Sequence, residues 1–204
     1  MRHAETDENI VGHALSEVEG LAARTSEVWL NEEGILQAEK LGHHLKNHKI
    51  SHAYSSPLKR AIHTAEKILQ HHPEAEFVVV DHLDEQNLGA AETMPKHIWK
   101  EIKKKSTDPW HLFKSEKGES YSELQERVVN FFNGLLEKHE SEDTILIVSH
   151  GGTLGVLMLH ILEKPLAEEH YRANQPKNTE FTIIEVSPEG YKKIHALNSR
   201  EHLD

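Results

Sequence analysis

The chain has 204 residues, of which 37% are hydrophobic and 28% are charged, a balance typical of a folded globular protein and not of a disordered one. A formal net charge of −11 argues against nucleic acid as a partner, because nucleic-acid binding depends on neutralising phosphates. No apolar run reaches about 18 residues and no basic-then-apolar leader opens the chain, so the sequence predicts neither a membrane span nor export. Cysteine is absent, which excludes disulfides and thiolate metal sites and favours a cytoplasmic location.

Four short apolar segments predict buried strands, and they cover residues 50–54, 77–80, 145–148 and 181–186. Helical patterns lie between them, and strands that alternate with helices predict a mostly parallel sheet with helices on both faces. The expected fold is therefore an α/β, three-layer α/β/α sandwich. A chain of this length fits one domain, and we expect it to span residues 1–204.

The first two predicted helices lie on either side of the 50–54 strand. The apolar stripe of the first helix consists of Leu36, Ala38, Leu41 and Leu45. Ser56 and Pro57 predict the start of the second helix, with serine as the N-cap and proline at the first helical position.

Two further helices are predicted on either side of the 145–148 strand. The first has an apolar stripe made of Leu124, Val128, Phe131, Leu135 and Leu136. The segment 122–125 resembles a capping box that would introduce this helix. Gly151 and Gly152 open the other helix, an apolar run that ends at Leu162. The more irregular segment 86–119 is interpreted as a helical excursion over the sheet edge and a candidate lid, with the lysine run 103–105 on a solvated helix face.

Polar side chains follow three of the predicted strands, at the edge where an open parallel sheet binds ligands. They occur in the segments 55–60, 83–85 and 149–152, and the opening segment 2–6 completes the set. Two histidines could supply a nucleophile and a phosphate donor, and two arginines offer forked donors that match phosphate oxygens. A carboxyl group could transfer a proton, and helix N-termini add backbone N–H donors. Together these groups predict phosphoryl-transfer chemistry.

The order of these groups resembles the histidine phosphatase superfamily, whose fold is also called phosphoglycerate mutase-like. The matching segments are 2–6 with Asn9, 30–38, 54–61 with Thr64 and Ala65, 83–89, 118–120, 148–152 and 178–179. The resemblance covers nearly the whole chain. The segment 118–120 and the short chain favour the small phosphatase branch.

The resemblance implies that His3 attacks phosphorus and becomes a phosphohistidine. Arg2, Arg60 and His150 would hold the non-bridging oxygens, and Asn9 would donate a further hydrogen bond. The N-terminal residue of the helix after His150, Gly151, would also bind phosphate. Flanking guanidinium groups would keep the His3 imidazole neutral and nucleophilic.

The catalytic acid is expected to be Glu85, which would protonate the leaving oxygen and then deprotonate a water molecule. Its neighbour Asp84 is the competing candidate. No metal and no other cofactor is expected in this reaction, because the arginines and His150 supply positive charge. The expected partner is a small phosphorylated substrate, with no nucleic acid and no membrane, and the oligomeric state stays open, with a dimer as one option.

The sequence departs from the family pattern at several points. Met1 directly precedes Arg2, where the family has an apolar strand, so either upstream residues are missing or the sheet lacks a strand or borrows one. His3 would then lie on a segment that frays unless it is anchored. Ala4 replaces a glycine, Gly12-His13 stands where Gly-Arg is common, and 90–92 lacks a usual tryptophan.

Two alternative functions follow from these observations. A cofactor-dependent phosphoglycerate mutase would use the same catalytic residues but return the phosphoryl group to its substrate. A non-catalytic relative would keep the fold alone, and the missing N-terminal strand is the only feature that favours it.

Overall fold

A computed structural model describes residues 1–11 and 27–204, so Gly12 and His13 lie outside the described residues. The helices are α1 (Asp7–Val11), α2 (Glu32–Leu45), α3 (Lys59–Leu69), α4 (Lys96–Lys105), α5 (Tyr121–Lys138), α6 (Gly151–Ile161) and α7 (Glu168–Asn174). The strands are β1 (His52–Ser55), β2 (Glu76–Val79), β3 (Ile145–Val148), β4 (Phe181–Val186) and β5 (Lys192–Ser199). Among the described helices, none is both long enough and apolar enough to cross a bilayer.

Strands β1, β2 and β3 form a parallel sheet in the order β2-β1-β3. Side chains of the central strand β1 alternate between its two faces: Ala53 packs with α2 and α3, and Tyr54 packs with α5 and α6. Leu146 and Ile147 of β3 alternate in the same way beside them. Helices therefore cover both faces of the sheet, and the predicted three-layer α/β architecture is confirmed.

The opening residues of the chain lie along the free edge of β3. Arg2 forms a parallel bridge with Ser149, and His3 N donates to Ser149 O at 2.9 Å. Ser149 N donates to Met1 O at 3.1 Å, and Arg2 N donates to Glu180 O at 3.2 Å, just before β4. Residues 1–3 thus occupy a strand position between β3 and the start of β4, and these backbone hydrogen bonds supply the anchor without which the segment would fray.

Strand β4 pairs with β5 in an antiparallel ribbon, and it is not part of the parallel sheet. The sequence predicted β4 but missed β5, because Ile194 and Ala196 alternate with charged or polar residues and form no apolar run. Strand β2 is also less buried than predicted. Val79 is 45% exposed, since β2 is the edge strand and only β1 pairs with it.

The first predicted helix exists, and Ala38, Leu41 and Leu45 of its predicted stripe are buried. Leu36 is 54% exposed, whereas Gly34 and Gln37 join Ala38 on the buried face. A Cβ at Gly34 would lie 2.0 Å from Glu5 O, so the bare glycine backbone lets α2 pack against the opening segment. Glycine and glutamine carry no hydrophobic signal, which is why the periodicity did not include these two residues in the buried face.

The predicted start of the second helix was wrong. Helix α3 begins at Lys59, its N-cap is Leu58, and Pro57 lies outside the helix. Ser56 Oγ does accept a hydrogen bond from Leu58 N, at 3.3 Å, but the same oxygen lies 2.6 Å from His150 Nε2.

Helix α5 begins with a capping box, but it starts two residues before the predicted segment 122–125. Ser120 is the N-cap, its hydroxyl accepts from Glu123 N, and the Glu123 carboxylate accepts from Ser120 N. Within α5, Phe132 is buried where the sequence predicted Phe131 and Leu136, and Leu136 is 39% exposed. The segment 86–119 contains a short 3₁₀ helix and α4, in agreement with the predicted irregular helical excursion.

Candidate active site

The polar groups that follow the parallel strands lie together at one edge of the sheet, as the sequence predicts. Ser56 N, after β1, donates to Val148 O at the end of β3 at 3.0 Å. Ser149 Oγ donates to Leu83 O at 2.6 Å, which links the end of β3 to the segment after β2. His3 lies beside Ser149, so the four predicted segments meet at one place.

The His3 side chain is buried and its two ring nitrogens have different partners. Nδ1 lies 2.7 Å from Ala4 O, so Nδ1 carries the proton and donates to that carbonyl. Nε2 is then unprotonated and accepts a hydrogen bond from Arg60 Nε at 3.3 Å. Burial, followed by the charges of Arg2 and Arg60, holds the His3 pKa well below its usual value. The imidazole is therefore neutral, with a lone pair on Nε2.

Arg2 and Arg60 bring positive charge into this buried site although the whole chain is acidic. Arg2 Nη1 donates to Pro176 O at 3.1 Å, while Arg2 Nε is buried with no hydrogen-bond partner within the described residues. Burial lowers the pKa of both guanidinium groups, and the negative charge of Glu85 opposes that shift. Both arginines and Glu85 therefore lie within electrostatic reach of one another.

His150 precedes α6, and its ring lies 5.1 Å from the His3 ring, measured between centroids. Its Nε2 lies 2.6 Å from Ser56 Oγ, and its buried Nδ1 has no partner in the part of the chain that the structure covers. Burial, then the charges of His3 and Arg60, lowers the pKa of His150 well below the usual value. A Ser56 hydroxyl that donates to Nε2 leaves an N–H on Nδ1, which is a donor for an anion. Sequence reasoning interpreted Ser56 only as a helix cap and missed this contact.

Glu85 lies against the N-terminus of α6. Its Oε2 accepts from Gly152 N at 3.3 Å, and its Oε1 accepts from Gln86 N at 2.9 Å. The neighbouring Asp84 is buried, and its Oδ1 accepts from Glu85 N at 2.8 Å, within its own loop. This arrangement favours Glu85 over Asp84 as the group that meets a substrate.

Arg127, on α5, holds the loop that carries Glu85, and no sequence pattern indicated this role. Its Nε and Nη2 donate to the two carboxylate oxygens of Glu119 at 2.8 Å each. Its Nη1 donates to three loop carbonyls, those of Asp81, His82 and Asp84, at 3.3, 2.9 and 3.2 Å. Such a bidentate pair fixes geometry as well as charge.

Asn9 is linked to the backbone of His3 by hydrogen bonds from Asn178. Asn178 Nδ2 donates to Asn9 Oδ1 at 3.0 Å and to His3 O at 3.0 Å. Asn9 Oδ1 also accepts from Thr6 N at 3.1 Å, so its oxygen is engaged inside the protein. The predicted contact of Asn9 with phosphate stays a prediction.

Gly151, the first residue of α6, adjoins the arginine side of the site. A Cβ at this position would lie 3.1 Å from Gln175 Nε2 and 3.5 Å from Arg2 Nη1. Its backbone N–H is among those at a helix start that have no intrahelical acceptor. The predicted phosphate contact of Gly151 likewise stays a prediction.

Ala4, which replaces a glycine of the family pattern, is buried and does not have a positive φ, so an alanine fits there.

An aromatic wall made of Trp110, Tyr121 and Tyr171 adjoins Glu85. Trp110 stacks on Tyr121 with ring centroids 4.1 Å apart, and Tyr121 lies 4.8 Å from Tyr171. Burial raises the pKa of both tyrosines, and the nearby charge of Glu85 adds to the shift. Lys103 Nζ lies 5.4 Å from the centre of the Tyr121 ring, so this wall has a cation at its border.

Comparisons with known proteins agree with this geometry. A sequence model of the histidine phosphatase superfamily (branch 1) matches residues 1–200. Phosphoserine phosphatase 1 of Hydrogenobacter thermophilus is 30% identical over 100% of this chain and 92% of its own length. A 2,3-bisphosphoglycerate-dependent phosphoglycerate mutase of Cytophaga hutchinsonii is 31% identical over 91% of this chain and 92% of its own length.

The fold also matches solved structures over its full length. Bacillus stearothermophilus YhfR superposes with a TM-score of 0.83 at 26% identity, covering 100% of this chain and 96% of that protein. The buried histidine pair, the two arginines and the carboxylate beside them occupy the strand ends of such a fold. The chain therefore belongs to branch 1 of the histidine phosphatase superfamily and is a phosphatase of phosphate monoesters.

Proposed function

We propose that this protein hydrolyses a small phosphate monoester through a phosphohistidine formed on His3 Nε2. The observation that carries the proposal is the neutral His3 ring, with Nδ1 fixed by Ala4 O and Nε2 turned toward Arg60. Nε2 attacks phosphorus and the ester P–O bond breaks as the N–P bond forms. The Nδ1–H···O contact with Ala4 stabilises the positive charge that develops on the ring.

Glu85 acts as the acid and then as the base. Its carboxyl proton passes to the leaving oxygen, so the alcohol product departs neutral. A water molecule then attacks phosphorus, its proton returns to Glu85, and the N–P bond breaks. Orthophosphate and neutral His3 are released, so protons and bonds balance over the cycle.

Arg2, Arg60 and His150 bind the non-bridging oxygens of the phosphoryl group in this scheme. Two features support this role: the buried Arg2 Nε and the buried His150 Nδ1 have no hydrogen-bond partner among residues 1–11 and 27–204. Buried donors of this kind are costly unless a ligand satisfies them. Asn9 and the Gly151 N–H are assigned as additional donors.

The leaving group of the substrate would lie along the aromatic wall. Tyr121 and Tyr171 border Glu85, and Lys103 borders Tyr121. A cation at this place favours a leaving group that carries its own negative charge. The phosphoserine phosphatase among the relatives, by its name, acts on a substrate of that kind, which supports a small anionic phosphate ester here.

A mutase activity is the second candidate, because a relative of similar identity carries that name. Both enzymes would share His3, but the mutase returns the phosphoryl group to an acceptor hydroxyl. Steady release of orthophosphate from p-nitrophenyl phosphate, without conversion of 3-phosphoglycerate in the presence of 2,3-bisphosphoglycerate, would support the phosphatase. The opposite pattern would support the mutase.

Replacement of His3 tests catalysis itself. In the His3→Ala variant we expect phosphatase activity to fall to background, whereas His43→Ala, which removes an exposed histidine of α2, should keep the wild-type rate. An unchanged rate in His3→Ala would contradict the proposal, and a wild-type protein without phosphatase activity would favour a non-catalytic relative. We also propose that residues 1–204 form a single domain, which limited proteolysis tests. The proposed cytoplasmic location is tested by cell fractionation.

A further inference from the structure

A cluster of two histidines and an aspartate lies at the end of the sheet opposite the catalytic groups. His52 is the first residue of β1, His139 follows the last residue of α5, and Asp143 lies in the turn before β3. Strand β1 then continues from His52 to Ser55, and a strand rises about 3.3 Å per residue, so the cluster is roughly 13 Å from Ser56. The phosphatase reaction makes no use of these side chains.

The nitrogen and oxygen atoms of this cluster converge on one point. His52 Nδ1 lies 3.5 Å from Asp143 Oδ1, and His139 Nδ1 lies 3.2 Å from Asp143 Oδ2. One atom from each of the three side chains lies within 4.8 Å of the other two. Zinc bonds of 2.0–2.1 Å in tetrahedral geometry separate neighbouring ligand atoms by about 3.3 Å. Each histidine–aspartate separation is close to that spacing, with His52 facing Oδ1 and His139 facing Oδ2 of Asp143, so the carboxylate can bind an ion through either oxygen or through both.

We propose that His52, His139 and Asp143 bind a divalent transition-metal ion, and that Zn²⁺ suits this set of two imidazoles and one carboxylate. Ser51 Oγ lies 3.0 Å from His52 Nδ1 and 2.9 Å from Asp143 Oδ1, so the serine hydroxyl or a water molecule completes four ligands. No thiolate is involved, which disfavours Cu⁺ and iron–sulfur clusters.

The surrounding groups support the His139 ligand in the orientation that a metal requires. His139 Nε2 lies 2.9 Å from Tyr54 Oη, which also accepts from Lys138 Nζ at 2.9 Å. A histidine that binds metal through one nitrogen usually donates its other N–H to such a partner. On the other side of the cluster, His52 Nε2 lies 3.9 Å from Glu76 Oε2, a second carboxylate that favours a cation.

Burial of the cluster is intermediate, which suits a site that an ion can enter from solvent. The side chain of His139 is 6% exposed, and those of His52 and Asp143 are each 23% exposed. The ion would connect the start of β1 to the turn between α5 and β3. Because the unfolded chain does not hold these ligands together, binding stabilises the fold and leaves the distant catalytic groups unchanged.

Zinc titration of the full chain tests the proposal. The protein is first stripped with a chelator and then titrated with Zn²⁺ in competition with a chromophoric chelator, and its melting temperature is recorded with and without Zn²⁺. We expect the protein to bind one equivalent of Zn²⁺ tightly and its melting temperature to rise when Zn²⁺ is present. In Asp143→Asn and in His52→Gln the affinity should fall at least about tenfold, because outer-shell substitutions alone cost that much.

His71→Gln is the matched control, since His71 is an exposed histidine whose ring lies 6.2 Å from that of His43, outside the cluster. It should bind Zn²⁺ as the wild type does, and p-nitrophenyl phosphatase activity should show that all variants fold. Anomalous diffraction from a Zn²⁺-soaked crystal should place the ion among the three side chains. Equal zinc affinity in Asp143→Asn and wild type, or an anomalous peak only elsewhere, would overturn the proposal.

Discussion

A Cβ on Gly152 would lie 2.2 Å from Oε1 of Glu85, a separation that no side chain can occupy. The glycine lets the carboxylate rest on the start of α6, where Gly152 N donates to Oε2 at 3.3 Å. The position of the proposed acid therefore depends on the absence of a single methyl group on a neighbouring helix.

Substitution of Gly152 by alanine should displace Glu85 and weaken acid catalysis. We expect kcat to fall roughly 100-fold or more for alkyl phosphates, since a positioned acid contributes that much. The decrease should be smaller for p-nitrophenyl phosphate, whose leaving group needs little protonation, and KM should change little. Steady-state kinetics on both substrates measures the difference.

Gly134→Ala is the control for this substitution, because a Cβ at Gly134, within α5, meets nothing within 4 Å. This variant should keep wild-type kinetics and gain up to about 1 kcal/mol in unfolding free energy, from improved helix propensity. Equal kcat values for Gly152→Ala and wild type on an alkyl phosphate would rule out this placement of the acid.

The Arg127–Glu119 pair should act as a positioning device for the acid loop. In Arg127→Met we expect the unfolding free energy to fall by about 2 kcal/mol, because charge-assisted hydrogen bonds to Glu119 and three carbonyls are lost. We also expect kcat to fall more for an alkyl phosphate than for p-nitrophenyl phosphate, because a displaced Glu85 protonates the leaving oxygen less well. Arg127→Lys should recover only part of both effects, because lysine lacks the planar fork. A stability loss with unchanged kcat values on both substrates would show that the pair is structural only.

Lys103 should contribute to the choice of leaving group. Replacing it with glutamine removes the cation beside Tyr121. We expect KM to rise severalfold for phosphate esters whose leaving group carries a carboxylate, as serine does, and to stay constant for those without one. A comparison of O-phosphoserine with a neutral alkyl phosphate measures this. An equal change for both substrates would mean that Lys103 acts on the fold and not on the substrate.

The buried His202 should make stability sensitive to acid. Its ring packs against Phe181 at 5.6 Å, and burial lowers its pKa to about 4. Between the ordinary histidine pKa of 6.5 and the lowered pKa of about 4, His202 binds a proton in the unfolded chain but not in the folded chain. Stability should therefore fall as the pH decreases from 6.5 to about 4, with a slope of up to about 1.4 kcal/mol per pH unit, and should be insensitive to this group above 6.5.

Urea unfolding at several pH values tests this prediction on the wild type and on His202→Phe. Phenylalanine keeps the ring contact and cannot titrate, so the variant should lose less stability on acidification. The substituted position lies outside the catalytic groups, and the phosphatase rate at neutral pH should not change. Parallel curves for the two proteins would contradict the assignment.

Much of the fold could be predicted because the central sheet has a strong signal in the sequence. The run 145–148 is continuous and apolar, and it forms β3 with helices on both faces. Features that depend on small or polar residues could not be predicted from the sequence. Gly34 and Gln37 replace Leu36 on the buried face of α2, and β5 alternates exposed with partly buried residues and contains no continuous apolar run.

The clustering of the candidate catalytic residues could be predicted because their order along the chain is distinctive, whereas the residues that hold them in place could not be predicted. His3, Arg60 and His150 lie together as expected. Ser56 and Arg127 act across the fold, on groups that are distant in sequence, and no local pattern indicates such contacts. The same reason hid the cluster of His52, His139 and Asp143, whose members come from three separate segments.

The most direct measurement for the central proposal is the capture of a phosphoryl group on His3. Rapid acid-free quenching of the enzyme during turnover, followed by peptide mass spectrometry, should find a phosphoryl group on His3 that is lost in acid and stable in base. The His3→Ala variant should show none, and the His43→Ala control should show the wild-type level. Turnover without any phosphoenzyme, or a phosphoryl group that persists in His3→Ala, would contradict the mechanism.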